Sequence, residues 1–295
     1  MTPLTVGTSG WDGTGPGTAE LAAALVAGAL PAGAIDTANL YGGGRAESIV
    51  GDALRGAAAP AVDVHTKIDR DAETGRFDAA QAWRSLEQSL DRLGVSRVPL
   101  LHLHDPHTIG FEATVAPGGP LSALVRMREE GIAGAIGLAM GPVGMAERLV
   151  ETDAFDAVLT HNRWTLVDRS AGPLIAAAAR RGMGIVNAAP YGAGALTGDE
   201  RFRGRYGYGE GRTPVLAAVE RIRAACLRHD VPLAAAALQF SLRTPGVHST
   251  VVGMRSIARM DETVRLATTP IPDELWAELD GLAAPPEAWL DAPQG

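Results

Sequence analysis

A single cysteine, Cys226, stands in a chain of 295 residues, so no internal disulfide can form and the fold must rest on its apolar core. Cys226 itself reads as a small apolar residue on a helix. Cations are in short supply: 26 Lys and Arg face 34 Asp and Glu, a net charge of −8. A general nucleic-acid binder needs concentrated Lys and Arg against phosphate, so that partner class is excluded. Long hydrophobic runs are also missing. The apolar stretches at 19–29 and 174–179 are too short to span a bilayer. Met1-Thr2-Pro3-Leu4-Thr5-Val6 lacks a basic segment followed by an apolar run, so no signal peptide is expected and the cytoplasm is the expected location. No linker, low-complexity tract or composition break divides the chain, which predicts one domain over 1–295.

What is present is alternation. Short apolar runs, bounded by Gly, Pro or a charge, fall at 4–8, 33–36, 62–67, 98–104, 134–139, 154–161, 184–189 and 249–253. They have the texture of strands buried on both faces. Helical patterns lie between them, at 18–30, 47–54, 78–93, 121–130, 144–150, 172–181 and 214–229. In the third of these, Trp83, Leu86, Leu90 and Leu93 form one apolar stripe at three- and four-residue steps. Eight strand–helix alternations predict an α/β fold with a parallel sheet closed into a (β/α)8 TIM barrel; an open doubly wound sheet is the rival. Two long segments, 105–119 after the fourth strand and 197–212 after the seventh, exceed a minimal repeat. In a barrel both would sit on the C-terminal face, where active sites form.

Reactive side chains gather at that face. Asp36 ends the second strand, Lys67 the third and His104 the fourth, while Tyr41 follows in the second strand's loop. Side chains alternate along a strand, so Asp63, His65 and Lys67 share a face, as do His102 and His104. If those faces point inward, an acid, an amine and an imidazole converge beneath a tyrosine. Tyrosine titrates near ~10 and needs help to move protons at neutral pH. A neighbouring ammonium would lower that value, Asp36 would hold Lys67 charged, and His104 would orient the reacting oxygen. His65 and His102 read as hydrogen-bonded residues of the barrel interior.

Ile35-Asp36-Thr37-Ala38-Asn39-Leu40-Tyr41-Gly42, Glu47 to Leu54, His65-Thr66-Lys67 and Leu100-Leu101-His102-Leu103-His104 together resemble the aldo-keto reductase signature. The likeness runs from Gly7 to about Ala267. It implies a catalytic tetrad of Asp36, Tyr41, Lys67 and His104, with Tyr41 as acid–base and His104 rather than His102 as the fourth member. Asn162-Arg163-Trp164-Thr165-Leu166 and Val251-Val252-Gly253-Met254-Arg255-Ser256 are similar to the bacterial branch of aldose, galactose and pyridoxal dehydrogenases. The implied activity moves hydride between a nicotinamide and a carbonyl or hemiacetal carbon of a sugar-like or small aldehyde or ketone substrate, with no metal required.

Ser256 opens a helical pattern through Ile257, Met260 and Val264, and a helix N-terminus offers free N–H groups to an anion. The resemblance places Gly253, Met254, Arg255, Arg259 and Glu262 along the cofactor. Two arginines slightly favour NADP(H), with NAD(H) possible. His161 and Asn162 fall where relatives hold the carboxamide. Ala139-Met140 and Ala188 depart from the Ser-Asn pair and the stacking aromatic found in many relatives. Trp11, Trp164 and Tyr191 are expected as walls for the substrate. Nothing in the sequence sets an oligomeric state.

Two other readings compete. His102 and His104, with Asp105, His107, His161 or His248, would suit a metal-dependent hydrolase, although the pair follows the fourth strand rather than the first. A cofactor-binding regulatory module is the third reading, against which four intact reactive groups argue. The glycine turns at 13–18 and 41–44 lack the spacing of dinucleotide or phosphate loops.

Overall fold

The computed structural model describes residues 4–15 and 17–292. Met1–Pro3 of the N-terminal reading and Pro16 of the 13–18 turn lie outside them. The strands are β1 (Leu4–Gly7), β2 (Ala34–Asp36), β3 (Asp63–Ile68), β4 (Val98–His104), β5 (Ala133–Ala139), β6 (Ala157–His161) and β7 (Gly184–Ala188), then a two-stranded hairpin of β8 (Arg205–Tyr206) and β9 (Gly209–Glu210), and β10 (Ser249–Gly253). All but the hairpin close into one parallel barrel in the order β1-β10-β7-β6-β5-β4-β3-β2. The closed barrel settles the choice of architecture against an open sheet.

The helices are α1 (Gly17–Val26), α2 (Arg45–Arg55), α3 (Ala79–Leu93), α4 (Phe111–Val115), α5 (Pro120–Glu129), α6 (Val143–Val150), α7 (Gly172–Arg180), α8 (Thr213–Arg228), α9 (Leu233–Leu242), α10 (Ile257–Thr268) and α11 (Asp273–Asp280). Local chemistry explains their ends. Asp78 caps α3 by accepting the Gln81 amide, and Gly94 closes it in a left-handed conformation. Ser256 caps α10 by accepting the Arg259 amide. The sequence pattern passed over α9 because Leu-Ala-Ala-Ala-Ala-Leu is apolar all round and gives no stripe.

One extensive apolar core lies between the barrel and the helices, and a small one of Ala139, Leu159, Val186 and Val251 lies apart from it. Cys226 is buried on α8, as expected of a packing residue. The face of α3 toward the barrel is made of small residues as well as large. Ala82, Ser85 and Ser89 are buried beside Leu86 and Leu93, whereas Trp83 and Leu90 are only partly buried. A Cβ added at Gly51 of α2 would overlap the backbone of Arg92 and Leu93, so this glycine permits α2 and α3 to touch. Among the described residues no helix is long and apolar enough to cross a membrane.

Candidate active site

Register places the reactive groups. Asp36 pairs with His65 across β2 and β3, and Lys67 with His102 across β3 and β4, so Asp36, Lys67 and His104 surface together at the C-terminal end of the barrel. Lys67 Nζ donates to Asp36 Oδ1 at 2.6 Å and to the Thr37 carbonyl at 2.7 Å. The ammonium lies 4.7 Å from the centre of the Tyr41 ring, and the Tyr41 and His104 rings meet edge-on at 5.7 Å. The four groups expected to converge do so.

Electrostatics sets their protonation. Burial alone would push the Lys67 ammonium down, but the Asp36 charge and hydrogen bond, together with Tyr41, hold it above its ordinary value. For Tyr41 the balance falls against the sequence-based expectation of a lowered value. Burial of the phenol outweighs the Lys67 charge, so Tyr41 is pushed up and stays protonated at neutral pH. His102 is buried and pushed well below its ordinary value, first by burial and then by the Lys67 charge. Its expected hydrogen bonds are not found. Neither ring nitrogen has a partner among the described residues, because the ring packs over Gly137 inside the barrel.

A second layer fixes the Tyr41 turn. Three successive left-handed glycines, Gly42, Gly43 and Gly44, fold the chain back after Tyr41. Glu47, fully buried on α2, accepts from Thr66 Oγ1 at 2.6 Å and from Arg92 Nη1 at 3.0 Å. The same Arg92 nitrogen donates to the Asn39 carbonyl at 3.2 Å, and Asn39 Nδ2 donates to the Ser85 carbonyl at 3.0 Å. Sequence reasoning passed over Asp69. It is fully buried, its Oδ1 lies 2.6 Å from His104 Nδ1, and its Oδ2 accepts the Leu40 amide at 3.1 Å. The signal was available, since Asp69 continues the alternation Asp63, His65, Lys67 by one more step.

A cavity of about 920 Å³ opens above these groups. Its walls include Asp36, Tyr41, Lys67 and His104, and also His161, Tyr191, Gly253, Arg259 and Glu262 from the sequence-predicted set. Burial, and then the nearby Arg163, push His161 down to about 4, so the ring is neutral at pH 7. Asn162 is buried behind His161, with its Oδ1 unpartnered among the described residues. Other expected wall residues stand elsewhere. Trp11 is fully buried and its Nε1 donates to the Met254 carbonyl at 2.7 Å, which ties the loop after β1 to the end of β10. Met254 is likewise buried away from the cavity. Trp164 stacks near Phe240 and donates to Thr244 Oγ1 at 2.9 Å. Arg255 turns outward, its Nε donating to the Gly10 carbonyl and its Nη2 pairing with Asp12.

Loop 197–212 carries the hairpin and lends Thr197, Asp199, Phe202 and Tyr208 to the cavity. Loop 105–119 contains α4 and contributes only Asp105 to the cavity. Asp105, Asn162 and Ala189, which follow β4, β6 and β7, all adopt left-handed backbone angles. Such strain in non-glycine residues gathers at functional sites.

A model of the Aldo/keto reductase family matches residues 3–284. The chain belongs to the aldo/keto reductase family. It is 37% identical over 197 residues to D-threo-aldose 1-dehydrogenase of a Pseudomonas species, a match covering 66% of this chain and 59% of that protein. It is 29% identical to pyridoxal 4-dehydrogenase of Microbacterium luteolum, over 83% of this chain and 82% of the relative. An aldo-keto reductase from Bacillus halodurans in its holo form shares the fold, with a TM-score of 0.75 and 22% identity, over 95% of this chain and 91% of that one.

The residues of this aldo/keto reductase also fit a dinucleotide. The cavity runs from the four reactive groups to the first turn of α10, where the Arg259 side chain and the positive end of the helix suit an anion. Among the described residues no cluster of three or more His, Cys, Asp or Glu side chains is placed to hold a metal ion.

Proposed function

We propose that this aldo/keto reductase is an NAD(P)-dependent oxidoreductase acting between the carbonyl and alcohol or hemiacetal forms of a sugar-like or small aldehyde or ketone substrate. The observation that carries the reading is the convergence of Asp36, Lys67, Tyr41 and His104 on one cavity at the mouth of the barrel. A bound nicotinamide supplies or accepts the hydride. The chain supplies the proton and the orientation: Tyr41, kept protonated by burial, donates to a developing alkoxide, and Lys67 is the fixed positive charge beside it. The aldose and pyridoxal dehydrogenases it resembles support a small polar carbonyl or sugar as the substrate class.

His161, Asn162, Gly253, Arg259 and Glu262 are proposed to hold the cofactor, and Tyr191 with Tyr208 to face the substrate. Of the two arginines expected to favour a 2′-phosphate, only Arg259 lines the cavity, where Glu262 pairs with it. The slight preference for NADP(H) therefore rests on Arg259 alone, and NAD(H) also binds.

Tyr41→Phe tests the mechanism. Turnover should fall by about 10²–10⁴, the usual worth of a positioned proton donor, while dinucleotide affinity stays within about twofold. Unaltered turnover would remove Tyr41 as the acid–base.

A further inference from the structure

His104 meets the cavity with one nitrogen and Asp69 with the other. Asp69 Oδ1 lies 2.6 Å from Nδ1, and Oδ2 is occupied by the Leu40 amide at 3.1 Å. Each carboxylate oxygen thus faces a nitrogen of a different residue. A carboxylate offers no proton of its own, so Nδ1 must carry the hydrogen of this bond. The other carboxylate near the ring, Asp105, has its Oδ2 3.8 Å from Nε2, too far for a hydrogen bond. The short, buried contact decides the tautomer.

From this geometry we propose that Asp69 is a positioning residue that locks His104 as the Nδ1–H tautomer and so presents an acceptor, Nε2, to the substrate oxygen. The consequence is selective. Tyr41 enters the same space as a donor, so an oxygen held between the two groups finds one donor and one acceptor. A hydroxyl, which both accepts and donates, satisfies both; a carbonyl oxygen satisfies only Tyr41 and faces the Nε2 lone pair. The site thus matches the alcohol or hemiacetal form of its substrate. Asp69 also fixes the backbone at Leu40, the residue before Tyr41, so one carboxylate sets the position of the donor and the identity of the acceptor.

The substrate class drawn here rests on the oxidoreductase reading, but the tautomer does not, and the test reads the tautomer alone. Long-range ¹H–¹⁵N spectra of uniformly labelled protein at about pH 8, above the ordinary imidazole range, resolve the two ring nitrogens. The His104 signals are those lost in His104→Gln. The expected result is a protonated Nδ1 and a bare Nε2, in roughly tenfold or greater excess, as a charge-assisted hydrogen bond implies. A proton on Nε2, from the other tautomer or from an imidazolium, overturns the proposal.

Asp69→Asn is isosteric but has one acceptor oxygen, which the Leu40 amide claims because it can only donate, so His104 Nδ1 must meet the amide hydrogens as an acceptor. The Nδ1–H excess should collapse in that variant, and Asp69→Ser carries the same comparison if the Asn protein does not fold. An unchanged His104 spectrum in the folded variant would assign the orientation to another group and overturn the proposal. Failure of dinucleotide binding would instead strike the oxidoreductase reading and leave the tautomer as measured.

Discussion

Replacing Lys67 with Met keeps most of the aliphatic stem and removes the ammonium that sits 2.6 Å from Asp36 Oδ1, in a pair whose side chains are 1% and 6% exposed. Stripping the partner from a carboxylate this deeply buried costs about 3–5 kcal/mol. Natural domains have about 5–15 kcal/mol in total, so the variant should show a clear fall in urea midpoint. Asp36→Asn added to Lys67→Met removes the uncompensated charge and should recover about 2 kcal/mol or more, a coupling readable from the double-mutant cycle. Neither variant should regain turnover, because the positive charge beside Tyr41 is gone from both. The sign with pH is fixed as well. Lys67 is held above its ordinary value, so its contribution is fully present below the unfolded lysine value near ~10.4 and is lost as pH rises beyond it. The gap between wild type and Lys67→Met should therefore be constant across neutral pH and close in alkali. A Lys67→Met protein within about 1 kcal/mol of wild type, or a loss that Asp36→Asn leaves untouched, would refute the reasoning.

Two further variants probe other parts of the site. Arg259→Ala should weaken NADPH by about three- to tenfold and NADH by less than about twofold, the worth of one partly exposed arginine–phosphate contact, as read by calorimetry. Equal losses for both dinucleotides would place Arg259 away from the 2′-phosphate. His102 is buried and its value is lowered, so it stays neutral in the folded state while the unfolded chain takes up a proton below about pH 6.5. That group contributes stability above pH ~6.5 and withdraws it at about 1.4 kcal/mol per pH unit as pH falls. His102→Leu removes this slope. Denaturation at about pH 6 and pH 5 should show wild type losing ~1.4 kcal/mol more than the variant, and parallel losses would contradict it.

Much of this was legible in the sequence, for identifiable reasons. Strands buried on both faces are continuous apolar runs, so every barrel strand announced itself, and β4 and β10 matched to the residue. The convergence of Asp36, Lys67, Tyr41 and His104 was legible because three of them stand at or next to strand ends, where alternation fixes the face. Asp69 was not, because it lies just beyond the end of β3, where the strand reading stopped. Trp11 and Trp164 were taken for substrate walls because an aromatic in a loop carries no sign of whether it turns inward. Their indole N–H groups find backbone and threonine partners in the interior instead. The raised Tyr41 value depends on how completely the phenol is enclosed, which spacing along a chain does not encode.

Binding of reduced dinucleotide tests most directly for a nicotinamide site above Lys67 and Tyr41. Excitation of the tryptophans with NADPH, and then NADH, added in increments should give saturable quenching with matching energy transfer to the reduced nicotinamide. Saturation is expected at one dinucleotide per chain, in the micromolar to millimolar range usual for such enzymes. The absence of a saturable signal from both dinucleotides at millimolar concentration would contradict the account.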